Sequence, residues 1–247
     1  MVPHIPAVLL AAGRGSRLAP LTDSLPKCLA PVMGRPMLDF WLESCARAGM
    51  KPLIVNTHYL ANQVERFIEC SPWRQLITLV RETSLLGTGG TLLALRNLLD
   101  KGTFLVAHAD NLSFFDMDAF FQTHLRRPRN CLITAMLFYT STPHSCGIVE
   151  LDRQGIVRAF HEKISNPPGN LANGAVYLME PEIFPLLERS DRAQPDISLD
   201  LLTKCVGRIA TFLNVDYHRD IGTPESYTVA QSEMRCRFPS GWPDITV

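Results

Sequence analysis

The sequence predicts an α/β protein with a doubly wound, mixed but mainly parallel sheet, and three observations predict it. Apolar runs of strand length recur at residues 7–12, 52–56, 76–80 and 103–108. Segments of helical periodicity separate most of them. Glycine-rich stretches fall where a strand gives way to the next element, at Gly13-Arg14-Gly15-Ser16-Arg17 and at Gly87-Thr88-Gly89-Gly90. Strands that read as continuous apolar runs, without polar alternation, are those buried on both faces of a parallel sheet. Alternation with helices then implies βαβ units joined by right-handed crossovers.

Taken in order, residues 37–49 carry Leu38, Trp41, Leu42, Cys45 and Ala46 on one stripe and end in a glycine, as a helix does. Residues 60–70 repeat the pattern with Val64, Phe67 and Ile68. A helix over 91–99 follows the second glycine segment. Residues 116–127 form another, with an acidic first turn that favours its dipole, and Arg126, Arg127 and Arg129 read as its solvated end. From Cys131 the period changes. Residues 131–140, 147–151 and 155–161 are extended, the last two joined as a hairpin across 152–154. Further helices are expected over 181–189 and 198–206, the latter with Ser198 as cap, and a strand over 210–215. Thr223 caps a last helix with Pro224 in its first position.

The 247 residues, 46% hydrophobic, suit one large domain. Net charge is zero, so no global field draws the chain to nucleic acid or anionic lipid, and neither is expected as a partner. Seven cysteines without a C-x-x-C pair give no disulfide framework. With no basic leader and no apolar stretch of membrane-spanning length, the expected location is cytoplasmic, where the Asn111-Leu112-Ser113 sequon stays unmodified.

A strand feeding a glycine loop suits a phosphate, because glycine lets backbone N–H groups close on an anion. A surface turn explains the same residues. The P-loop pattern is absent, and Leu18 stands where the dinucleotide fingerprint needs its third glycine. A nicotinamide-dependent oxidoreductase would also want an acid ending the second strand, where Asn56 stands.

Ala12-Gly13-Arg14-Gly15-Ser16-Arg17-Leu18, followed by Pro26-Lys27-Cys28-Leu29-Ala30-Pro31-Val32, resembles the linked signature of the sugar-1-phosphate nucleotidyltransferases. Leu86-Gly87-Thr88-Gly89-Gly90 is similar to that family's base-holding segment, Asp110 matches its metal-binding aspartate with Ala109 in place of the usual glycine, and Glu162-Lys163 matches its sugar-site pair. Asn173-Gly174-Ala175-Val176-Tyr177 resembles the segment closing over the sugar, and Asp220-Ile221-Gly222-Thr223-Pro224-Glu225 the one that completes the metal site. The resemblance runs from Leu9 to about Ala230 in the family's order.

It implies a Rossmann-like nucleotidyltransferase fold over residues 1–234, with a nucleotide-binding half at 1–130, a sugar-binding half at 131–234 and a short tail at 235–247, too short for a β-helix extension. It implies Mg²⁺ held by Asp110 and Asp220, and Arg17, Lys27 and Lys163 as the cations handling phosphate. The nucleotide would lie on Leu10, Ala12, Gly13, Gly15, Ser16, Glu82, Gly87 and Thr88, and the sugar on Asn111, Gly147, Glu162 and Asn173. A carboxylate at Glu82 can accept from guanine N1–H and N2–H₂ together. His108 reads as a strand-end histidine rather than a ligand, because magnesium prefers oxygen.

The small guanylyltransferases acting on mannose 1-phosphate or D-glycero-D-manno-heptose 1-phosphate are the branch resembled, with GTP expected over UTP and a homodimer compatible. A uridylyltransferase acting on N-acetylmuramic acid 1-phosphate is similar in length and loop. A nucleotide-sensing paralogue would keep the fold but lose Asp110, Asp220 or Lys163, and all three are present.

Overall fold

The computed structural model describes residues 4–242. It is the α/β architecture expected, a mixed, mainly parallel sheet with helices. The strands are β1 Ala7–Leu10, β2 Pro31–Val32, β3 Arg35–Pro36, β4 Leu53–Thr57, β5 Ile77–Arg81, β6 Phe104–His108, β7 Asn111–Phe114, β8 Ile133–Tyr139, β9 Gly147–Leu151, β10 Val157–Glu162, β11 Leu171–Met179, β12 Ile209–Leu213 and β13 Tyr217–Asp220. The chain groups into two compact units. One holds the segment up to Leu85, Ala107–Phe114 and the segment from Tyr217 on; the other holds Leu86–Val106 and Phe115–Asp216. These units are discontinuous in sequence, unlike the contiguous halves the resemblance implies.

In the first unit β1, β4 and β5 run parallel, in register through Leu9, Val55 and Leu79. Every residue of β1 and β4 is buried, which is why β1 and the first three residues of β4 read as apolar runs. β5 ends the row and is half-exposed. The helix Met37–Arg47 buries Leu38, Trp41, Leu42 and Cys45, each such side chain stabilising the fold by about 2 kcal/mol. Its end is a Schellman motif. Gly49, at φ 82°, donates to Ala46, while the Met50 N–H donates to Cys45.

The short strands β7 and β13 pair antiparallel, with Asn111 opposite Asp220, so the end of the chain returns to the first unit. The helix Pro224–Arg237 follows, capped by Thr223, whose hydroxyl accepts from the Ser226 N–H at 3.2 Å. It runs on into the expected tail, where Trp242 packs on Phe40. Residues 243–247 of that tail lie outside the described residues.

The second unit is largely antiparallel. β9 and β10 form the expected hairpin, β11 pairs with β8, and β12 joins β8 in parallel. Its core holds Phe104, Phe120, Tyr177 and Phe184, with the rings of Phe104 and Phe184 stacked 5.9 Å apart. Three expectations change here. The helix expected over 91–99 is Thr88–Ala94 and Arg96–Leu99, broken at Leu95. The helical turn expected from Ser198 starts at Ile197 and is capped by Asp196, which accepts from the Leu199 N–H. Asp196 lies in polar sequence that periodicity does not single out. Arg127 is not solvated: it donates to the carbonyls of His124 and Cys131 and pairs with Glu180. That carboxylate lies some fifty residues downstream, beyond the reach of a local pattern.

Candidate active site

The glycine loop opens directly off β1. Gly15 sits at φ 66°, and a Cβ there would come within 2.8 Å of the Lys27 Cβ, so glycine is required both by the backbone and by the side chain packed against it. The Gly15 carbonyl accepts from the Leu18 N–H and from the Thr22 hydroxyl, closing the loop into a short 3₁₀ turn over Ser16–Leu18. Gly13, Ser16 and Arg17 are exposed, whereas Leu10 and Ala12 are buried. The Leu10 carbonyl accepts from the Ala109 N–H, tying the loop's origin to the segment that carries Asp110.

Lys27 is buried, with 7% of its surface exposed. Its ammonium donates to Asp110 Oδ2 at 2.6 Å and to Asp220 Oδ1 at 3.1 Å. Two carboxylates distant in sequence therefore meet on one nitrogen, because the pairing of β7 with β13 sets Asp220 opposite Asn111, the neighbour of Asp110. Burial alone would lower the Lys27 pKa; Asp110 and Asp220 outweigh it and hold it above its ordinary value. Burial likewise would raise Asp110, yet the charge of Lys27, with that of His108, holds it below the usual carboxylate range. Lys27 and Asp110 are thus kept ionised.

Gly222 completes this cluster, and motif reading alone did not single it out. A Cβ there would stand 2.9 Å from Asp220 Oδ1 and 3.2 Å from Lys27 Nζ. Ser226 Oγ donates to the Asp220 carbonyl. His218, two residues before Asp220, bonds the Ser113 hydroxyl at 2.7 Å and is pushed down to about 4 by burial, so it is a neutral brace between β13 and β7. Asn111 is buried, and its carbonyl accepts from the Trp41 indole.

Glu82, the first residue after β5, is 7% exposed and accepts from the Asn56 amide at 2.8 Å. The same Asn56 accepts from the Ala11 N–H at 2.7 Å. Sequence reading met Asn56 only as the place of a missing acid. An amide near the end of a fully buried strand that is apolar up to that point was the available signal.

In the second unit, Gly87 and Thr88 open the helix Thr88–Ala94. Thr88 donates to Asp196 at 2.9 Å and accepts from the Ile197 N–H, and the N–H groups of Gly89 and Gly90 donate to the Pro195 carbonyl. A Cβ on Gly87 would stand 2.6 Å from that carbonyl. Close approach of residues 194–195 accounts for this glycine on its own.

Gly147 pairs with Glu162 across the hairpin, and a Cβ on it would stand 2.7 Å from Glu162 Oε2. Glu162 contacts Lys163 Nζ at 3.1 Å, and Lys163 holds a positive φ of 49°. Asn173 lies at an irregularity in the β11–β8 register. It donates to the Tyr177 hydroxyl at 2.7 Å and accepts from the Ala175 N–H. Burial pushes the Tyr177 hydroxyl up, so it stays protonated. The hairpin and β11 thus carry Gly147, Glu162, Lys163 and Asn173 within the second unit, whereas Asn111, also expected at the sugar site, lies on β7 in the first.

Residues 6–236 match the family model described as nucleotidyl transferase. The chain is 30% identical over 234 residues to a mannose-1-phosphate guanylyltransferase of Mycobacterium tuberculosis, covering 94% of this chain and 65% of that protein. It is 28% identical over 221 residues to a D-glycero-alpha-D-manno-heptose 1-phosphate guanylyltransferase of Campylobacter jejuni, covering 90% of this chain and 96% of that one. It therefore spans less than two thirds of the first relative and nearly all of the second. Its fold is like that of a UDP-glucose pyrophosphorylase crystallised with UDP-glucose, at a TM-score of 0.77 and 21% identity over 94% of this chain and 99% of that one. With its motifs in order and the family model matched over almost its whole length, this chain belongs to the nucleotidyl transferase family, among the sugar-1-phosphate nucleotidyltransferases.

Proposed function

We propose that the protein transfers a nucleoside monophosphate from a nucleoside triphosphate, GTP by preference, to mannose 1-phosphate or a D-glycero-D-manno-heptose 1-phosphate, releasing pyrophosphate. The observation that carries the reading is the convergence of Asp110 and Asp220 on one cation, the Lys27 ammonium.

The donor set fits Mg²⁺. It is all oxygen, and its members already close on a single positive centre. Among the described residues no cluster of three acidic, histidine or cysteine side chains offers a fuller cage, which suits an ion that keeps waters and takes substrate phosphate as ligand. When bound, the ion supplies Lewis-acid stabilisation at the α-phosphate and a template for in-line attack.

The chain's own residues do the rest. Both reactants are anions, so repulsion and misalignment dominate the barrier, and cationic clamps serve better than a covalent nucleophile. Arg17, exposed on the loop, and Lys27 take the β- and γ-phosphates and the charge of the departing pyrophosphate. Glu82 accepts from the guanine edge. Glu162 and Asn173 hold sugar hydroxyls, while Lys163 orients the incoming phosphate, which needs no general base.

The test is a panel. The protein is incubated with Mg²⁺, each nucleoside triphosphate in turn and a set of sugar 1-phosphates, and pyrophosphate is measured. Release with GTP and one of the two named sugars is expected. Release only with UTP and N-acetylmuramic acid 1-phosphate would replace the substrates, and no release from any pair would mark a nucleotide-binding regulator.

A further inference from the structure

Asn56 is the last residue but one of β4, which lies between β1 and β5, and is in register with Leu10 on one side and Val80 on the other. It is 3% exposed. Its Oδ1 accepts from the Ala11 N–H at 2.7 Å, and its amide nitrogen donates to Glu82 Oε1 at 2.8 Å. The Ala11 contact settles which end of the amide is which, because only the oxygen can accept from an N–H. The NH₂ group is therefore committed to the Glu82 side. One rigid planar group so links two strand ends that are not neighbours: the root of the glycine loop and the carboxylate after β5.

We propose that Asn56 is the positioning residue for base selection, an inference that rests on Glu82 reading the base. A carboxylate offers acceptors only, which match two adjacent donors such as guanine N1–H and N2–H₂ and mismatch the donor beside an acceptor presented by uracil N3–H and O4. That discrimination holds only while the carboxylate is fixed in rotation. The Asn56 NH₂ fixes it, because it donates to Glu82 Oε1 and so sets the plane of the carboxylate. Through Ala11 it also ties that plane to the loop, so base and phosphates are measured from one frame.

Exchanging the amide for a carboxylate separates these roles. Asn56→Asp keeps the acceptor for the Ala11 N–H but turns an acceptor toward Glu82, so a proton must be shared between the two acids or Glu82 must rotate. Either way a mixed donor and acceptor edge replaces the acceptor pair.

The test measures kcat/KM for GTP and for UTP with a fixed sugar 1-phosphate in wild type, Asn56→Asp, Asn56→Ala, Glu82→Gln and the double variant N56D/E82Q, with thermal melting as a check on folding. Asn56→Asp and Asn56→Ala are expected to lower the GTP-over-UTP ratio at least ~10-fold, with KM for the sugar phosphate little changed. In the double variant the amide introduced at position 82 can donate to the carboxylate introduced at position 56, so its ratio is expected to fall by less than the product of the two single losses. This swap also serves if either single variant folds poorly. If Glu82→Gln shifts the ratio while both Asn56 variants slow GTP and UTP by one common factor, Asn56 is a structural amide and the proposal is overturned, with Glu82 retained. If Glu82→Gln leaves the ratio unchanged, the carboxylate does not read the base and both fall.

Discussion

Lys27 and Lys163 are the same residue assigned to the same kind of work, yet the protein treats them differently. The Lys27 side chain is 8% exposed and clamped by two carboxylates, with Gly15 and Gly222 kept bare around it. The Lys163 side chain is 57% exposed and touches one glutamate. A buried ammonium is tolerable only where anions compensate its lost hydration, and it then becomes part of what holds the first unit together. An exposed one contributes to binding with little consequence for folding. The first unit is thus organised around charge in the free protein. The second presents its charge at the surface and spends its interior on hydrocarbon, aromatic rings and the His124–Glu180–Arg127 network.

The contrast is broken most sharply at Asp110. Asp110→Asn is expected to cost at least ~100-fold in turnover while the protein still folds, because Asp220 continues to compensate Lys27; near-normal pyrophosphate release would remove Asp110 from the site. Next in size is a stability comparison that needs no substrate. Lys27→Met should destabilise by about 2 kcal/mol, since it leaves a partly buried carboxylate unpaired, whereas Lys163→Met should change stability by less than ~0.5 kcal/mol. Equal losses in urea melts would show that the two lysines are not distinguished by their surroundings.

A smaller effect sharpens the account of the second unit. Gly147→Ala forces the Glu162 carboxylate aside, and about a tenfold loss of kcat/KM is expected for the sugar phosphate with KM for the triphosphate unchanged. A loss felt equally by both substrates would place the damage in the fold instead. The smallest effect concerns pH. Burial holds the His124 pKa below its ordinary 6.5, so below that pH the unfolded chain binds a proton the folded one resists, and stability should decline as pH falls from about 6.5. Glu180, held below its ordinary value despite burial, begins to lose its contribution only at lower pH, below about 4.5. His124→Gln should flatten the upper part of this decline, as read by melting temperature between pH 7 and 5. His218, shifted the same way in the first unit, leaves a residual slope.

Much of the fold was legible because local chemistry set it. The runs in β1 and β4 announced parallel strands buried on both faces, the stripe over Met37–Arg47 announced its helix, and Thr223-Pro224 announced the last one. One error fell where a distant partner decided the matter, since Glu180 drew Arg127 out of solvent, and another was local, since Asp196 displaced the nearby Ser198 as a cap. Candidate site residues were legible as types in order. Asn56 was not, and Gly222 was matched within its segment without a role of its own, since an amide between two strand ends and a glycine beside a carboxylate look ordinary until their neighbours arrive.

By itself, then, the sequence determined the strands, the glycine turns and the chemical kinds of groups available, because hydrophobic period and backbone freedom act over a few residues. Only the tertiary structure decided that Asp110 and Asp220 share one cation and that Glu82 is tied to the loop through Asn56. Those contacts depend on strand pairing and register across long sequence separations, and no local pattern encodes the distance between two side chains that meet only when the sheet and the β7–β13 ribbon have formed.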